Sequence, residues 1–223
     1  MQINGHAPGV LAEEARQLGA LLFHYSTDYV FNGENNSPYV ETDIPDPVNE
    51  YGRSKLAGEQ AIQSVNADYL ILRTSWVYAS RGHNFMHSML RLAAEREKLS
   101  IVSDQLGAPT SARFIAEVSA QILWQSLSDR YQGNFTSDLY HLTASGEVSW
   151  HGFANEIIEM AKKILPATEY KVKEIAPILT KEYPTPAKRP MSSRLSSEYL
   201  AKTYGLYLPD WEQLLELCML ELN

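Results

Sequence analysis

The chain has 223 residues, of which 44% are hydrophobic and 21% charged, a balance typical of a globular protein with a substantial core. A formal net charge of -8 argues against a protein that binds nucleic acid, because neutralising phosphates requires clustered Lys and Arg. The single cysteine, Cys218, cannot form an intrachain disulfide, and no stretch approaches the roughly 18 apolar residues of a membrane span. We therefore expect a cytoplasmic protein with no nucleic-acid or membrane partner.

The predicted secondary structure alternates between helices and buried strands. Pro8 and Gly19 bracket a first amphipathic helix, and the apolar run at 20–25 that follows is typical of a strand in a parallel sheet. In chain order, the remaining predicted elements are a long loop at 32–49, a helix at 51–65, a strand at 68–78, a helix at 85–96, a strand at 99–102, a helix at 112–127, a strand at 139–143, and helices at 150–164, 197–204 and 211–220. Such alternation indicates an α/β fold.

The start of the chain departs from the pattern of a complete dinucleotide-binding fold. A doubly wound sheet usually opens with a strand and a glycine-rich turn that holds the cofactor's pyrophosphate at a helix N-terminus. This sequence opens on a predicted helix, and it contains no Gly-x-Gly-x-x-Gly or Gly-x-x-Gly-x-x-Gly turn. We therefore expect an α/β fold with an incomplete Rossmann-like doubly wound parallel sheet and a smaller C-terminal substrate-binding domain.

Tyr51 and Lys55 form a Tyr-x-x-x-Lys pair, whose spacing puts both side chains on one face of a helix, one turn apart. An ammonium about 4 Å from a phenol contributes at most roughly 4 kcal/mol at an effective dielectric of about 20, and this favours the ionised phenol. Tyr51 could then give a proton to a carbonyl oxygen while a hydride arrives at its carbon. An ordinary exposed helix face explains the same spacing equally well.

Polar and aromatic residues follow the first two predicted strands. Thr27 and Asp28 come where the first strand ends, and Trp76 comes near the end of the second. Because ligands of open α/β sheets bind beyond the carboxyl ends of the strands, Thr27 could hydrogen-bond the same carbonyl group. The Trp76 indole could stack on a sugar or base ring. Turn and cap chemistry for Thr27 and Asp28, and core packing for Trp76, are the alternatives.

The sequence offers little support for metal or hydrolase chemistry. His83 and His87 are four residues apart, but no carboxylate or cysteine lies nearby at ligand spacing, so surface histidines are favoured and no metal site is predicted. A Gly-x-Ser-x-Gly elbow is missing from the sequence, which speaks against a hydrolase.

Five segments, taken in order, carry a resemblance to a known family. They are Ser26-Thr27-Asp28-Tyr29-Val30-Phe31, Tyr51-Gly52-Arg53-Ser54-Lys55, Arg73-Thr74-Ser75-Trp76-Val77-Tyr78, Asp104-Gln105-Leu106-Gly107-Ala108-Pro109-Thr110, and Arg189-Pro190 with Ser193-Arg194-Leu195. Together they resemble the dTDP-4-dehydrorhamnose reductase family of extended short-chain dehydrogenases/reductases, over essentially all of residues 1–223. The resemblance implies that residues 1–75 are the C-terminal remnant of an NAD(P)-binding Rossmann domain. Residues 76–223 would mainly form the nucleotide-sugar-binding domain, with some strands returning to the main sheet.

The same resemblance implies roles for individual residues. Tyr51 would be the proton donor, and Lys55 would bind the nicotinamide ribose and lower the pKa of the phenol. Thr27 would tune Tyr51 and, with Asp28 and Trp76, contact the nucleotide-sugar. The implied reaction is the reduction, by NADPH or NADH, of the 4-keto group of dTDP-6-deoxy-L-lyxo-4-hexulose (dTDP-4-dehydrorhamnose), which gives dTDP-L-rhamnose.

Compared with that family, the chain lacks roughly the first three βα units. We therefore expect an exposed apolar sheet edge and exposed helix faces, and with them a homodimer or pairing with a complementing N-terminal half. Arg189 and Arg194 are candidate donors to the phosphates of a dTDP-sugar. The alternative functions are a non-catalytic nucleotide-sugar or NADP-binding regulatory subunit, an inactive fragment, and an epimerase or dehydratase of the same superfamily.

Overall fold

The computed structural model describes residues 1–222. A glycine at the C-terminus of the first helix determines where that helix ends. A π-helical turn at Gln2–His6 leads into helix α1 (Ala7–Leu18), which ends at Gly19. Gly19 has a φ of 60°, a left-handed conformation that glycine adopts without steric penalty and that often ends a helix. Strand β1 (Leu22–Thr27) follows this turn, so the predicted helix and strand are both present.

Helix α2 (Glu50–Ser64) begins at a capped N-terminus. The side chain of Asn49 accepts a hydrogen bond from the backbone N–H of Gly52 at 2.9 Å, which satisfies one of the free donors in the first turn. A 3₁₀ turn (Asp28–Val30) and a long loop connect β1 to this helix. The cap therefore fixes where α2 starts, one residue before Tyr51.

The predicted strand at 68–78 is broken in the structure. Strand β2 (Tyr69–Thr74) ends two residues before Trp76, and the short strand β3 (Val77–Tyr78) begins directly after it. Trp76 has a φ of 46°, the left-handed region that only glycine enters without penalty. A residue in this conformation cannot continue a strand, which is why the single predicted strand was wrong.

Short strands alternate with helices in the remainder of the chain. In chain order they are α3 (Phe85–Glu95), β4 (Lys98–Val102), β5 (Leu106–Gly107), β6 (Thr110–Ser111), α4 (Ala112–Gln132), β7 (Asp138–His141), β8 (Val148–Ser149), α5 (Trp150–Ile164), β9 (Glu174–Ile178), a 3₁₀ turn (Thr180–Glu182), α6 (Glu198–Tyr204) and α7 (Trp211–Leu220). The predicted helices are all present, although α4 ends at Gln132 rather than at residue 127. Strand β9 was missed because Pro177 lies within it. Pro177 is tolerated there since β9 is an edge strand, paired with β4 in a two-stranded sheet.

A three-stranded parallel sheet in the order β1, β2, β7 is the centre of the first half of the fold. Its middle strand is apolar on both faces: Leu70, Ile71 and Leu72 are fully buried. Ile71 packs with Ala12 of α1 and with α2, while α4 contacts β1 through other side chains. Helices on both faces of a parallel sheet confirm the predicted α/β class.

The chain forms two compact units. Unit 1 contains Met1–Ser75, Glu117–Leu142 and Ala187–Tyr207, and therefore holds the three-stranded sheet. Unit 2 contains 76–116, 143–186 and the chain from Leu208 onward, with three two-stranded pairings: β3 with β6, β4 with β9, and β5 with β8. The predicted division into domains at 1–75 and 76–223 stays a prediction. Within residues 1–222, no helix is both long enough and apolar enough to span a bilayer.

Candidate active site

The carboxyl ends of β1 and β2 lie side by side in unit 1. Thr27 at the end of β1 pairs in register with Thr74 at the end of β2. The Thr27 hydroxyl donates to Oδ1 of Asp28 at 2.9 Å and accepts from the backbone N–H of Tyr29 at 3.2 Å. These two bonds turn the chain sharply at the rim of the sheet, so the turn-and-cap role considered for Thr27 is present in the structure.

Asp28 is the most deeply buried acidic side chain at this rim. Burial raises the pKa of its carboxyl from 3.8 to about 6, although the neighbouring hydroxyls of Ser193 and Thr27 favour the ionised form. Its Oδ2 atom makes no hydrogen bond of normal geometry with the described residues. Asp28 therefore retains an acceptor position for a ligand.

Two further buried hydroxyls at the same rim lack partners. Oγ of Ser26 in β1 and Oγ1 of Thr74 in β2 have no hydrogen-bond partner in residues 1–222. The strand register places Ser26 and Thr74 on opposite faces of the sheet. Buried polar atoms are almost always satisfied, so unpaired groups at the carboxyl ends of two parallel strands are typical of a ligand site. Sequence reasoning missed both residues, because a hydroxyl inside a strand motif has no local sign of being unpaired.

The start of α2 packs closely against the turn that follows β1. A side-chain carbon added to Gly52 would overlap the carbonyl oxygen of Tyr29, so only glycine allows this approach. The rings of Tyr29 and Tyr51 meet edge to face, with centroids 5.8 Å apart. Gly52 thus brings Tyr51 to the rim that Thr27 and Asp28 occupy.

The phenol of Tyr51 is half-exposed, and its surroundings favour the protonated form. Burial raises its pKa above the ordinary value of 10.0, the hydroxyl of Thr27 lowers it by hydrogen bonding, and the charge of Asp28 raises it again. The resemblance implied that Lys55 lowers the pKa of Tyr51, but Lys55 is not among the groups that shift this pKa. The phenol therefore holds its proton at neutral pH.

Lys55 lies one turn after Tyr51 and contacts β1 instead of the phenol. Its Nζ atom donates to the backbone carbonyl of Tyr25 at 2.5 Å and lies 3.3 Å from Nε2 of His24. Burial lowers the pKa of Lys55, and the charge of Glu59 opposes this. Sequence reasoning missed His24, which had the appearance of one residue in an apolar strand.

Trp76, the predicted substrate-contacting aromatic, lies in unit 2. Its ring stacks on Trp150 with centroids 3.5 Å apart and planes 7° apart, so one face of the indole is occupied. A side-chain carbon at Gly107 would come within 2.5 Å of its Cε2 atom. Aromatic packing, the alternative considered for Trp76, is therefore present, and Trp150 and Gly107 are partners that sequence reasoning missed.

The two arginines proposed as phosphate donors differ in their contacts. Arg194 donates to the carbonyl oxygen of Asn36 at 2.8 Å and to the hydroxyl of Ser192 at 2.9 Å, so it ties two loops of unit 1 together. Arg189 is exposed, and its charge lowers the pKa of Tyr29. Arg189 is thus the better placed of the two to meet an anionic ligand.

The paired histidines make ordinary contacts. Nε2 of His87 lies 2.9 Å from the carbonyl oxygen of Ser80, and His83 is exposed in the preceding loop. The described residues contain no group of three or more His, Cys, Asp or Glu side chains arranged to hold a metal ion.

Comparison with known proteins gives one family. Residues 1–223 match the family described as RmlD substrate binding domain. The chain is 50% identical over 220 residues to the dTDP-4-dehydrorhamnose reductase of Burkholderia thailandensis, covering 99% of this chain and 74% of that protein. It is 44% identical to the protein of the same name from Escherichia coli K12, covering 94% of this chain and 68% of that protein.

Solved structures agree with these relatives. A dTDP-4-dehydrorhamnose reductase from Bacillus anthracis, in complex with NADP, superposes with a TM-score of 0.82 at 35% identity, covering 98% of this chain and 72% of that chain. The orthologue from Clostridium acetobutylicum also has a TM-score of 0.82, at 34% identity, covering 98% of this chain and 71% of that chain. On sequence and fold together, this chain belongs to the dTDP-4-dehydrorhamnose reductase family.

Proposed function

We propose that this chain reduces the 4-keto group of dTDP-4-dehydrorhamnose to give dTDP-L-rhamnose, with NADPH or NADH as the reductant. The observation that carries the proposal is the grouping of Thr27, Asp28 and Tyr51 at one rim of the sheet, with Lys55 one turn further along α2 against β1, in a chain that is 50% identical to a named reductase. We place the reaction in the cytoplasm, where the lone Cys218 would stay reduced.

Tyr51 is the proton donor in this proposal. Its raised pKa keeps the phenol protonated at neutral pH, and its half-exposed position leaves it accessible to a carbonyl oxygen. The Thr27 hydroxyl favours the ionised phenol, and it would stabilise the phenolate once its proton turns from Oδ1 of Asp28 to the phenolate oxygen. The raised pKa also makes the phenol a poor acid in the unliganded chain.

The residues at the rim fit the nicotinamide end of the cofactor. Lys55 carries three N–H donors, of which two meet Tyr25 and His24, so one is left for a ribose hydroxyl. The unpaired hydroxyls of Ser26 and Thr74, on opposite faces of the sheet, can each bond a polar group of a ligand. The cofactor, when bound, supplies the hydride.

Substrate binding in this proposal uses the remaining predicted residues. Asp28 offers its unpaired Oδ2 atom to a sugar hydroxyl, and Trp76 offers the ring surface that Trp150 does not cover. Arg189 is the candidate donor to the diphosphate, because Arg194 already bonds Asn36.

The proposal predicts that Tyr51→Phe lowers kcat by about a hundredfold or more, since the phenyl ring keeps the packing and removes the proton donor. Turnover would be followed by the loss of NADPH absorbance with dTDP-4-dehydrorhamnose as substrate. Tyr131→Phe is the matched control, because Tyr131 is 94% exposed and far along α4 from the rim. No turnover by the native chain, or full turnover by Tyr51→Phe, would contradict the proposal.

A further inference from the structure

The ammonium of Lys55 is held on β1 by two different acceptors. The backbone carbonyl of Tyr25 accepts at 2.5 Å, and Nε2 of His24 lies at 3.3 Å. An ammonium has donors only, so Nε2 of His24 must be the accepting nitrogen and the imidazole proton must sit on Nδ1. The contact therefore selects one tautomer of His24.

His24 remains neutral at neutral pH, where it contacts the Lys55 ammonium. Burial and the adjacent charge of Lys55 lower the pKa of His24 to about 4, and Lys55 is the charged group that acts on it. A neutral imidazole is an acceptor for an ammonium, whereas an imidazolium would repel it. His24 thus favours the charged form of a lysine whose own pKa is lowered by burial.

The contact between His24 and Lys55 also links β1 to α2 close to the candidate site. His24 lies three residues before Thr27 on β1, and Lys55 lies one turn after Tyr51 on α2. His24 contacts Lys55 within the strand, and Thr27 at the end of the strand favours the ionised form of Tyr51, so β1 interacts with α2 at two points. A lysine side chain loses much rotamer freedom when it is fixed, and a single carbonyl acceptor leaves its last torsions free.

We propose that His24 is a positioning residue, whose Nε2 atom and the Tyr25 carbonyl together hold the Lys55 ammonium so that its third N–H faces the ligand. The consequence for turnover rests on the function proposed above. The contact between His24 and Lys55 does not, and it can be tested in the protein without cofactor or substrate.

The test compares two substitutions of similar size. His24→Leu removes the acceptor, and His24→Gln keeps a carbonyl oxygen at about the reach of Nε2. The readout is the rate at which an acylating reagent modifies Lys55, measured by mass spectrometry across pH in the unliganded chain. His83→Gln, in an exposed loop of unit 2, is the matched control, and thermal unfolding shows that each variant is folded.

We expect His24→Leu to raise the acylation rate of Lys55 at neutral pH about threefold or more, because loss of the acceptor favours the neutral amine. His24→Gln should remain close to the native rate. An unchanged rate in His24→Leu overturns the proposal, and so does a rate in His24→Gln as high as in His24→Leu, since the accepting atom would then be irrelevant.

Kinetics separate this proposal from the proposed function. If the chain turns over, His24→Leu should raise the KM for NADPH roughly tenfold and leave the KM for the sugar nucleotide unchanged. In His24→Gln, the KM for NADPH should lie close to that of the native chain. An equal rise in both KM values would contradict positioning of Lys55. If the native chain does not turn over, the proposed function fails, and the acylation rates alone decide the role of His24.

Discussion

At the scale of single residues, the candidate site consists of polar groups that are buried without being fully paired. Ser26, Asp28 and Thr74 each keep one unpaired oxygen at the rim of the sheet. Unpaired buried groups cost stability, and proteins keep them where a ligand will pair them. These unpaired groups therefore lower the free energy of unfolding, and single substitutions can measure by how much.

Asp28→Asn should stabilise the protein at neutral pH. The pKa of Asp28 is raised from 3.8 to about 6 by burial, so the folded state binds the proton more tightly than the unfolded chain. The stability contributed by this group is complete below pH 3.8 and is lost as the pH rises through about 6. The neutral amide avoids that loss, by up to about 3 kcal/mol.

Urea unfolding across pH measures this difference. The advantage of Asp28→Asn over the native chain should grow between pH 3.8 and about 6 and then level off. Asp129→Asn, an exposed carboxyl on α4, is the control and should show little change. A stability difference between Asp28→Asn and the native chain that does not change with pH would contradict the raised pKa of Asp28.

Gly107→Ala should disturb the stack of Trp76 on Trp150. The added carbon would lie 2.5 Å from Cε2 of Trp76, so the indole must move, at a cost of about 1–3 kcal/mol. In a Trp76→Ala background the same substitution should cost much less, because the clashing ring is gone. Unfolding free energies of the four proteins in this cycle test the contact, and additive effects would argue against it.

At the scale of elements, an internal ion pair attaches α2 to the sheet. Nη2 of Arg73 on β2 lies 2.6 Å from Glu59 on α2, and Nε donates to the same carboxylate at 3.0 Å. Both side chains are almost completely buried, and the guanidinium also lies 5.0 Å from the centre of the Phe31 ring. Since Glu59 follows Lys55 by one turn, this pair helps to set where the helix face lies on β1 and β2.

Glu59→Gln should destabilise the chain by about 3–5 kcal/mol, because it leaves the buried guanidinium of Arg73 without a counter-charge. Glu50→Gln on the same helix is the matched control: it breaks an exposed pair with Arg53 and should cost less than about 1 kcal/mol. Chemical denaturation of both variants gives the comparison. Equal losses would show that burial of the Arg73 pair has no energetic weight.

At the scale of the whole molecule, unit 1 exposes a set of large apolar side chains. Trp124 on α4 is 78% exposed and Leu18 at the end of α1 is 79% exposed. Leu123 and Leu127 on α4, and Tyr25 on β1, are also exposed. In the described residues β1 pairs with β2 on one side only, so it is an edge strand. Exposed apolar side chains near a sheet edge favour association with another chain.

The 223-residue chain should therefore self-associate, and Trp124→Lys should reduce this association. Light scattering coupled to size-exclusion chromatography at several concentrations measures the mass. Ile44→Lys is the control, because Ile44 is 88% exposed but lies in the loop that precedes α2. A monomer at all concentrations, or equal effects of the two substitutions, would contradict the prediction.

The sequence by itself determined the features that depend on near neighbours along the chain. Helical periodicity, the cap before α2 and the apolar strands specify the α/β class, and the four-residue spacing puts Tyr51 and Lys55 one turn apart. The ordered motifs also gave the family that the comparisons confirm. These features follow from short sequence patterns, because the same pattern favours the same local backbone geometry in any protein.

Only the tertiary structure decided which distant residues meet. His24 contacts Lys55, Glu59 pairs with Arg73, and Trp76 stacks on Trp150, and none of these partners follows from a local pattern. The break of the predicted strand at Trp76 is of the same kind, since its left-handed backbone would be unfavourable in isolation. Side chains far apart in sequence become neighbours only through the packing of whole elements, and packing energies outweigh local preference there.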